Sequence, residues 1–144
     1  MTIAAIIKQK GNAVTSIGPD ATVAEVTHVL AEHRIGAAVV CNERGDLLGI
    51  LSERDIVRSL AGHGASALDL HVSQLMTEHV TTAMPRTTVA EAMEMMTRGR
   101  FRHLPVMEQG RLVGLVSIGD VVKARMSQQE HEVDNLKAYV AGVG

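Results

Sequence analysis

The chain repeats itself. Residues 14–25 (VTSIGPDATVAE) lie over residues 80–91 (VTTAMPRTTVAE) at an offset of 66, and seven of the twelve positions are identical. After a one-residue deletion, residues 45–57 (GDLLGILSERDIV) lie over residues 110–122 (GRLVGLVSIGDVV) at an offset of 65, with six of thirteen identical. The matches in this second block include Gly49 with Gly114, Ser52 with Ser117 and Asp55 with Asp120. A duplication of this kind restricts the fold to two copies of one small unit. A half of about 60 residues is marginal alone, so the two copies are expected to pack on each other as one pseudo-symmetric domain.

Each copy reads in the same order. Residues 14–17 and 80–83 predict short strands that stop before Pro19 and Pro85, which cannot continue a ladder. Thr22-x-x-Glu25 and Thr88-x-x-Glu91 are capping boxes that start helices. Val23, Val26, Val29 and Leu30, then Val89, Ala92, Met93 and Met96, recur at helical spacing, giving each helix one buried stripe. Residues 37–41 and 47–51 flank a turn containing Gly45, and 104–107 and 112–116 flank Gly110, which are hairpin signals. Each hairpin feeds a helix through Ser52 or Ser117, so the repeat is β-α-β-β-α, twice, in the α/β (α+β) class. The expected organisation is a first repeat over 1–65, a second over 66–126 and a helical extension over 127–144.

Two further segments stand outside the repeat. Residues 61–67 (AGHGASA) are small and predict a linker. From Gly119 to Ala141 nothing breaks a helix, and Val122, Met126, Gln129, Val133, Leu136 and Val140 fall at alternating spacings of four and three. That seam either packs back on its own domain or meets a partner subunit.

Composition narrows the function classes. With 144 residues the chain is a single small unit, too short for a cofactor domain plus a substrate domain. Lys+Arg 14 against Asp+Glu 16 gives a net charge of -2, which argues against a field that collects nucleic acid. The aromatics are Phe101 and Tyr139, too few for base stacking. The apolar start, residues 1–7, lacks the pattern of a signal peptide, and no run of about 18 apolar residues predicts a membrane span. A cytoplasmic protein is expected. Cys41 cannot staple the chain to itself and sits in a predicted buried strand, where cysteine serves as a small hydrophobe. The seven histidines show no i, i+4 zinc pair, and no Gly-x-Ser-x-Gly element or other nucleophile triad is present. No metal site and no catalysis are expected.

The chemistry-bearing motif is Gly-x-x-Ser-x-x-Asp, present at 49–55 and 114–120. Ser-x-x-Asp ahead of an apolar run is a helix cap in its own right. A serine at a helix N-terminus also presents its hydroxyl beside free N–H groups and the positive dipole end, a setting suited to phosphate. An aspartate three residues on can accept from adjacent ribose hydroxyls, as acids do in other nucleotide sites. Both readings fit the residues.

The duplicated β-α-β-β-α with these motifs, together with Phe101-Arg102-His103-Leu104-Pro105-Val106 ahead of the second hairpin, resembles a tandem pair of CBS domains over residues 8–126. The chain is similar to the stand-alone bacterial kind. The resemblance implies a regulatory, non-enzymatic module that binds adenosine-containing ligands in a cleft between the repeats. It implies ribose binding by Asp55 and Asp120 and phosphate contact by Ser52, Ser117, Arg102 and His103, the last two preceding Pro105. Copy one departs from the pattern, with Gly36, Ala37 and Val39 where copy two has Arg102, His103 and Pro105. Arg54, Arg58 and Lys123 are further basic candidates, Arg58 and Lys123 lying a turn into their helices, where a solvated charge is the alternative. The expected ligands are AMP or ATP, with NAD(H) in the less charged cleft. A homodimer and an effector protein are the expected partners, and the rival reading is an interaction scaffold whose clefts are vestigial.

Overall fold

A computed structural model describes residues 1–142. Val143 and Gly144, part of the expected extension, lie outside the described residues. The elements are α1 (Ile3–Lys10), β1 (Ser16–Ile17), α2 (Val23–His33), β2 (Ala37–Cys41), β3 (Leu47–Ser52), α3 (Glu53–His63), α4 (Val72–Leu75), α5 (Val89–Gly99), β4 (His103–Glu108), β5 (Arg111–Ser117) and α6 (Ile118–Val140). They form two compact units.

The unit built from residues 13–82 and 107–113 holds copy one. Its sheet has the order β1-β2-β3, with β1 parallel to β2 (Ser16 opposite Val39) and β2 antiparallel to β3 (Ala38 opposite Leu51). Val23, Val26 and Leu30 put one stripe of α2 onto Ala38 and Val40 of β2, Leu51 of β3, Ile56 of α3 and Val72 of α4, all buried. Thr22 caps α2 by accepting from the Glu25 N–H at 3.2 Å. Only that half of the expected box is formed, whereas at α5 both Thr88 and Glu91 complete it. The expected linker at 61–67 is ordered instead: α3 continues to His63, and Gly64–Asp69 is a 3-10 helix with Ala67 fully buried. Its small side chains serve close packing against α2 and α3. The expected boundary at 65/66 falls inside this segment, and that at 126/127 falls inside α6.

The unit built from residues 1–12, 83–106 and 114–142 of the described chain holds most of copy two. β4 and β5 pair as a hairpin, and the strand expected at 80–83 shrinks to one parallel bridge, Ala83 with Val106. The cause is one residue. In copy one the Val39 N–H donates to the Thr15 carbonyl at 3.2 Å, but its counterpart Pro105 has no N–H to offer Thr81.

The segments that precede each copy are crossed. α1, absent from the sequence reading, joins copy two: the Ile3 and Ala4 N–H groups donate to the Thr87 and Pro85 carbonyls (2.8 Å each), and Val89 N–H donates to Met1 (3.0 Å). In copy one the corresponding bonds come from α4, where the Val72 and Ser73 N–H groups donate to Ala21 (2.8 Å) and Pro19 (3.1 Å), and Val23 N–H donates to Leu70 (2.9 Å). α1, and the chain just after α4, each cover a strand at the glycine that the two copies share. A Cβ on Gly114 would lie 2.8 Å from Ile7 Cδ1, and one on Gly49 would lie 2.7 Å from the Thr77 carbonyl oxygen.

Candidate functional site

Both Ser-x-x-Asp motifs lie at a strand-to-helix junction, where the extended Ser φ and ψ turn the chain into the helix. In copy one the Ser52 N–H and hydroxyl donate to Asp55 Oδ2 at 2.9 and 3.0 Å, and the Asp55 N–H approaches Ser52 Oγ at 3.4 Å. In copy two the Ser117 N–H donates to Asp120 Oδ2 at 2.8 Å and the Asp120 N–H donates to Ser117 Oγ at 3.1 Å. Each motif is thus a reciprocal capping box. None of these bonds uses Oδ1 of either aspartate. The capping reading and a ligand-binding reading are compatible, because the box fixes the carboxylate's position at a positive helix end.

The junctions are equivalent further back in the chain. Glu53 N–H donates to the Gly36 carbonyl at 2.9 Å, and Ile118 N–H donates to the Arg102 carbonyl at 2.8 Å. This places Arg102 beside the start of α6, with an exposed side chain, and His103 next to it at the head of β4, half-buried. Pro105 is buried inside β4. Arg54 lies exposed in the first turn of α3. Asp55 and Arg58 line one open depression of about 480 Å³ with Ser59, His63 and Gln74.

Sequence reasoning missed one residue. Lys10, at the end of α1, donates from Nζ to Asp120 Oδ2 at 2.7 Å and to the Leu115 carbonyl at 2.9 Å. Burial pulls the Asp120 carboxyl upward, but the Lys10 hydrogen bond, the Ser117 N–H and the Lys10 charge outweigh it and hold the group below the usual carboxylate range. No local motif announces this pair, since 110 residues separate its members. Elsewhere, burial and the Asp46 charge push the half-buried Cys41 thiol up, against reactivity. Among the described residues no group of three or more His, Cys, Asp or Glu is placed to hold a metal ion. No helix among them is long and apolar enough to cross a membrane.

Residues 11–62 and 72–127 each match the CBS domain. The chain belongs to the CBS-domain family. The CBS domain-containing protein CBSX3, mitochondrial, of Arabidopsis thaliana is 36% identical over 149 residues, covering 98% of this chain and 72% of that one. The crystal structure of the CBS-domain containing protein ATU1752 from Agrobacterium tumefaciens superposes with a TM-score of 0.85 at 47% identity, covering 86% of this chain and 92% of that one. The CBS domain protein PAE2072 from Pyrobaculum aerophilum, solved in complex with AMP, gives a TM-score of 0.74 at 29% identity over 83% of this chain and 89% of that one. The β-α-β-β-α duplication with a C-terminal helix is therefore a tandem CBS pair.

Proposed function

We propose that this CBS pair is a regulatory module, not an enzyme, that binds adenine nucleotides at its two serine–aspartate junctions and thereby alters its conformation or its hold on an effector protein. The observation that carries this reading is the doubled box, in which each aspartate is fixed at a helix N-terminus through Oδ2 alone among its box bonds. The AMP complex of PAE2072 supports the ligand class. In this reading Asp55 and Asp120 accept from ribose hydroxyls, and Ser52, Ser117, Arg102 and His103 meet phosphate, with Arg54 and Arg58 adding charge in copy one. Pro105 shapes the strand that carries Arg102 and His103.

The two copies are assigned different ligands. Copy two brings Lys10, Arg102 and His103, so it takes AMP or ATP, since a guanidinium grips phosphate with two parallel bonds. Copy one has Gly36 and Ala37 at the matching positions and takes a less charged or longer ligand such as NAD(H). The assembly is assigned as a homodimer in the cytoplasm. Binding shifts populations only as far as the nucleotide prefers one geometry.

One feature favours the scaffold reading, namely the exposed apolar residues of α6. A thermal-shift screen with AMP, ADP, ATP, NAD, NADH and S-adenosylmethionine separates the two. A ligand at 100 times its Kd adds about 2.7 kcal/mol of stability. Calorimetry of Asp55→Ala and Asp120→Ala then follows, each expected to lose about tenfold or more in affinity, from charged hydrogen bonds worth about 1.5 to 3 kcal/mol. No shift with any ligand, or unchanged affinity in both variants, overturns the nucleotide reading.

A further inference from the structure

Among the described residues, the outer half of α6 has nothing to pack against within its own chain. Val121 and Ala124 anchor the helix beside α5 and α1, but from Gln129 to Gly142 every residue is exposed. Val133 is 50% exposed, Leu136 62% and Val140 77%. At 100° per residue these side chains, with Val122, Met126 and Gln129, form one stripe about 130° around the helix from the anchoring face. The stripe therefore points away from its own unit.

The spacing of four and three makes that stripe a heptad seam, with Met126, Val133 and Val140 at a and Val122, Gln129 and Leu136 at d. Val133 and Val140 at a with Leu136 at d suit a two-stranded parallel coil. The flanking charges choose the orientation. In a parallel pair each g residue faces the e residue five positions on in the other chain. That sets Arg125 against Glu130 and Glu132 against Lys137, and both contacts are attractive. In an antiparallel pair with the same seam matched, Lys123 faces Lys137, Glu130 faces Glu130 and Glu132 faces Glu132. All three contacts repel. Among the described residues, Arg125, Glu130, Glu132 and Lys137 make no ion pair within the chain.

We propose that the outer half of α6 is a self-association surface, pairing in parallel with α6 of a second copy of this chain. The proposal rests on the homodimer reading and names its surface, and it needs no ligand. A partner also supplies what the segment lacks, because an isolated helix of this length is marginal in water without tertiary packing.

The test is the mass of the full chain by sedimentation equilibrium, against 15.4 kDa for the monomer. A wild-type dimer that Val133→Glu/Leu136→Glu converts to a monomer that still unfolds cooperatively is the expected result. Glu132→Lys should weaken the dimer at least fivefold and Glu132→Lys/Lys137→Glu should restore it. In Cys41→Ser, Leu136→Cys should oxidise to an interchain disulfide, since d residues face each other in a parallel coil. A wild-type monomer at tens of micromolar overturns this surface and the homodimer reading together. A wild-type dimer that survives Val133→Glu/Leu136→Glu overturns this surface alone. A dimer left unchanged by Glu132→Lys, as expected where residue 132 faces its own copy, or no disulfide from Leu136→Cys, overturns the parallel orientation.

Discussion

The ammonium of Lys10 and the carboxylate of Asp120 meet at 2.7 Å, on the same oxygen that Ser117 binds at 2.8 Å. The pair is partly exposed, 40% for Lys10 and 25% for Asp120, so its net value falls in the range of about 0 to 1 kcal/mol. Lys10→Met should lower the melting temperature by only a few degrees. It should also raise affinity for uncharged adenosine by about two- to fivefold, because the ribose no longer competes with an ammonium for Asp120. Calorimetry with adenosine reads this directly. A loss of adenosine affinity would mean that Lys10 assists the ribose instead of competing with it.

Asp120 also sets a pH window. Its folded-state carboxyl titrates below the ordinary 3.8, so the unfolded chain takes up the proton first as pH falls. The stabilisation is therefore complete above the ordinary value and is lost as pH falls through the folded one. The melting-temperature gap between wild type and Asp120→Asn should stay constant from pH 7 to pH 5 and close below about pH 4. A gap that widens with acid contradicts the sign.

Gly49 and Gly114 occupy equivalent positions but should respond differently to alanine. At Gly49 the new Cβ meets the Thr77 carbonyl, and the Thr77 N–H and carbonyl are both bonded to Ile50, at 2.9 and 3.1 Å. Backbone tied on both sides cannot retreat, and a cost of about 1 to 3 kcal/mol is expected. At Gly114 the nearest atom is the tip of Ile7, which can change rotamer, so the cost should stay below about 1 kcal/mol. Urea denaturation of the two variants ranks them, and equal losses would refute the distinction.

Arg34 closes α2 with φ 55° and ψ 45°, a left-handed geometry that suits glycine. Its N–H returns to Ala31 and Leu30 carbonyls, bonds that glycine keeps. Arg34→Gly should raise stability by up to about 1 kcal/mol, the strain relieved less the extra entropy of the unfolded chain. A destabilised variant would show that the Arg34 side chain contributes more than its backbone costs.

The repeat, its helices and its hairpins were legible because each rests on local signals: capping pairs, stripes at helical spacing, glycine turns. Ser52 with Asp55 and Ser117 with Asp120 were legible for the same reason, as each pair is three residues apart. What stayed hidden was non-local. Lys10 meets Asp120 across most of the chain, and α1 and α4 are short helices whose value lies in what they cover. The shortened strand of copy two was half legible, since Pro105 was visible in the sequence but its missing partner, Thr81, becomes plain only once Val39 is seen donating to Thr15. Residues 61–67 misled because small side chains mark close packing as well as flexibility.

The crossing of α1 and α4 fixes an order of events during synthesis. Copy one finds its covering segment, residues 70–77, directly behind it and can close as soon as that stretch is available. α1 is made ahead of both copies, with Ile3 and Ile6 destined for burial, but its docking groove at Thr87 and Gly114 is made about eighty to a hundred residues later. At a synthesis rate of about 5 to 20 residues per second, that leaves an apolar helix without its partner for several seconds or more. Residues 3–10 are thus satisfied only once copy two has been made, and deleting them would cost the second repeat its cover while sparing the first.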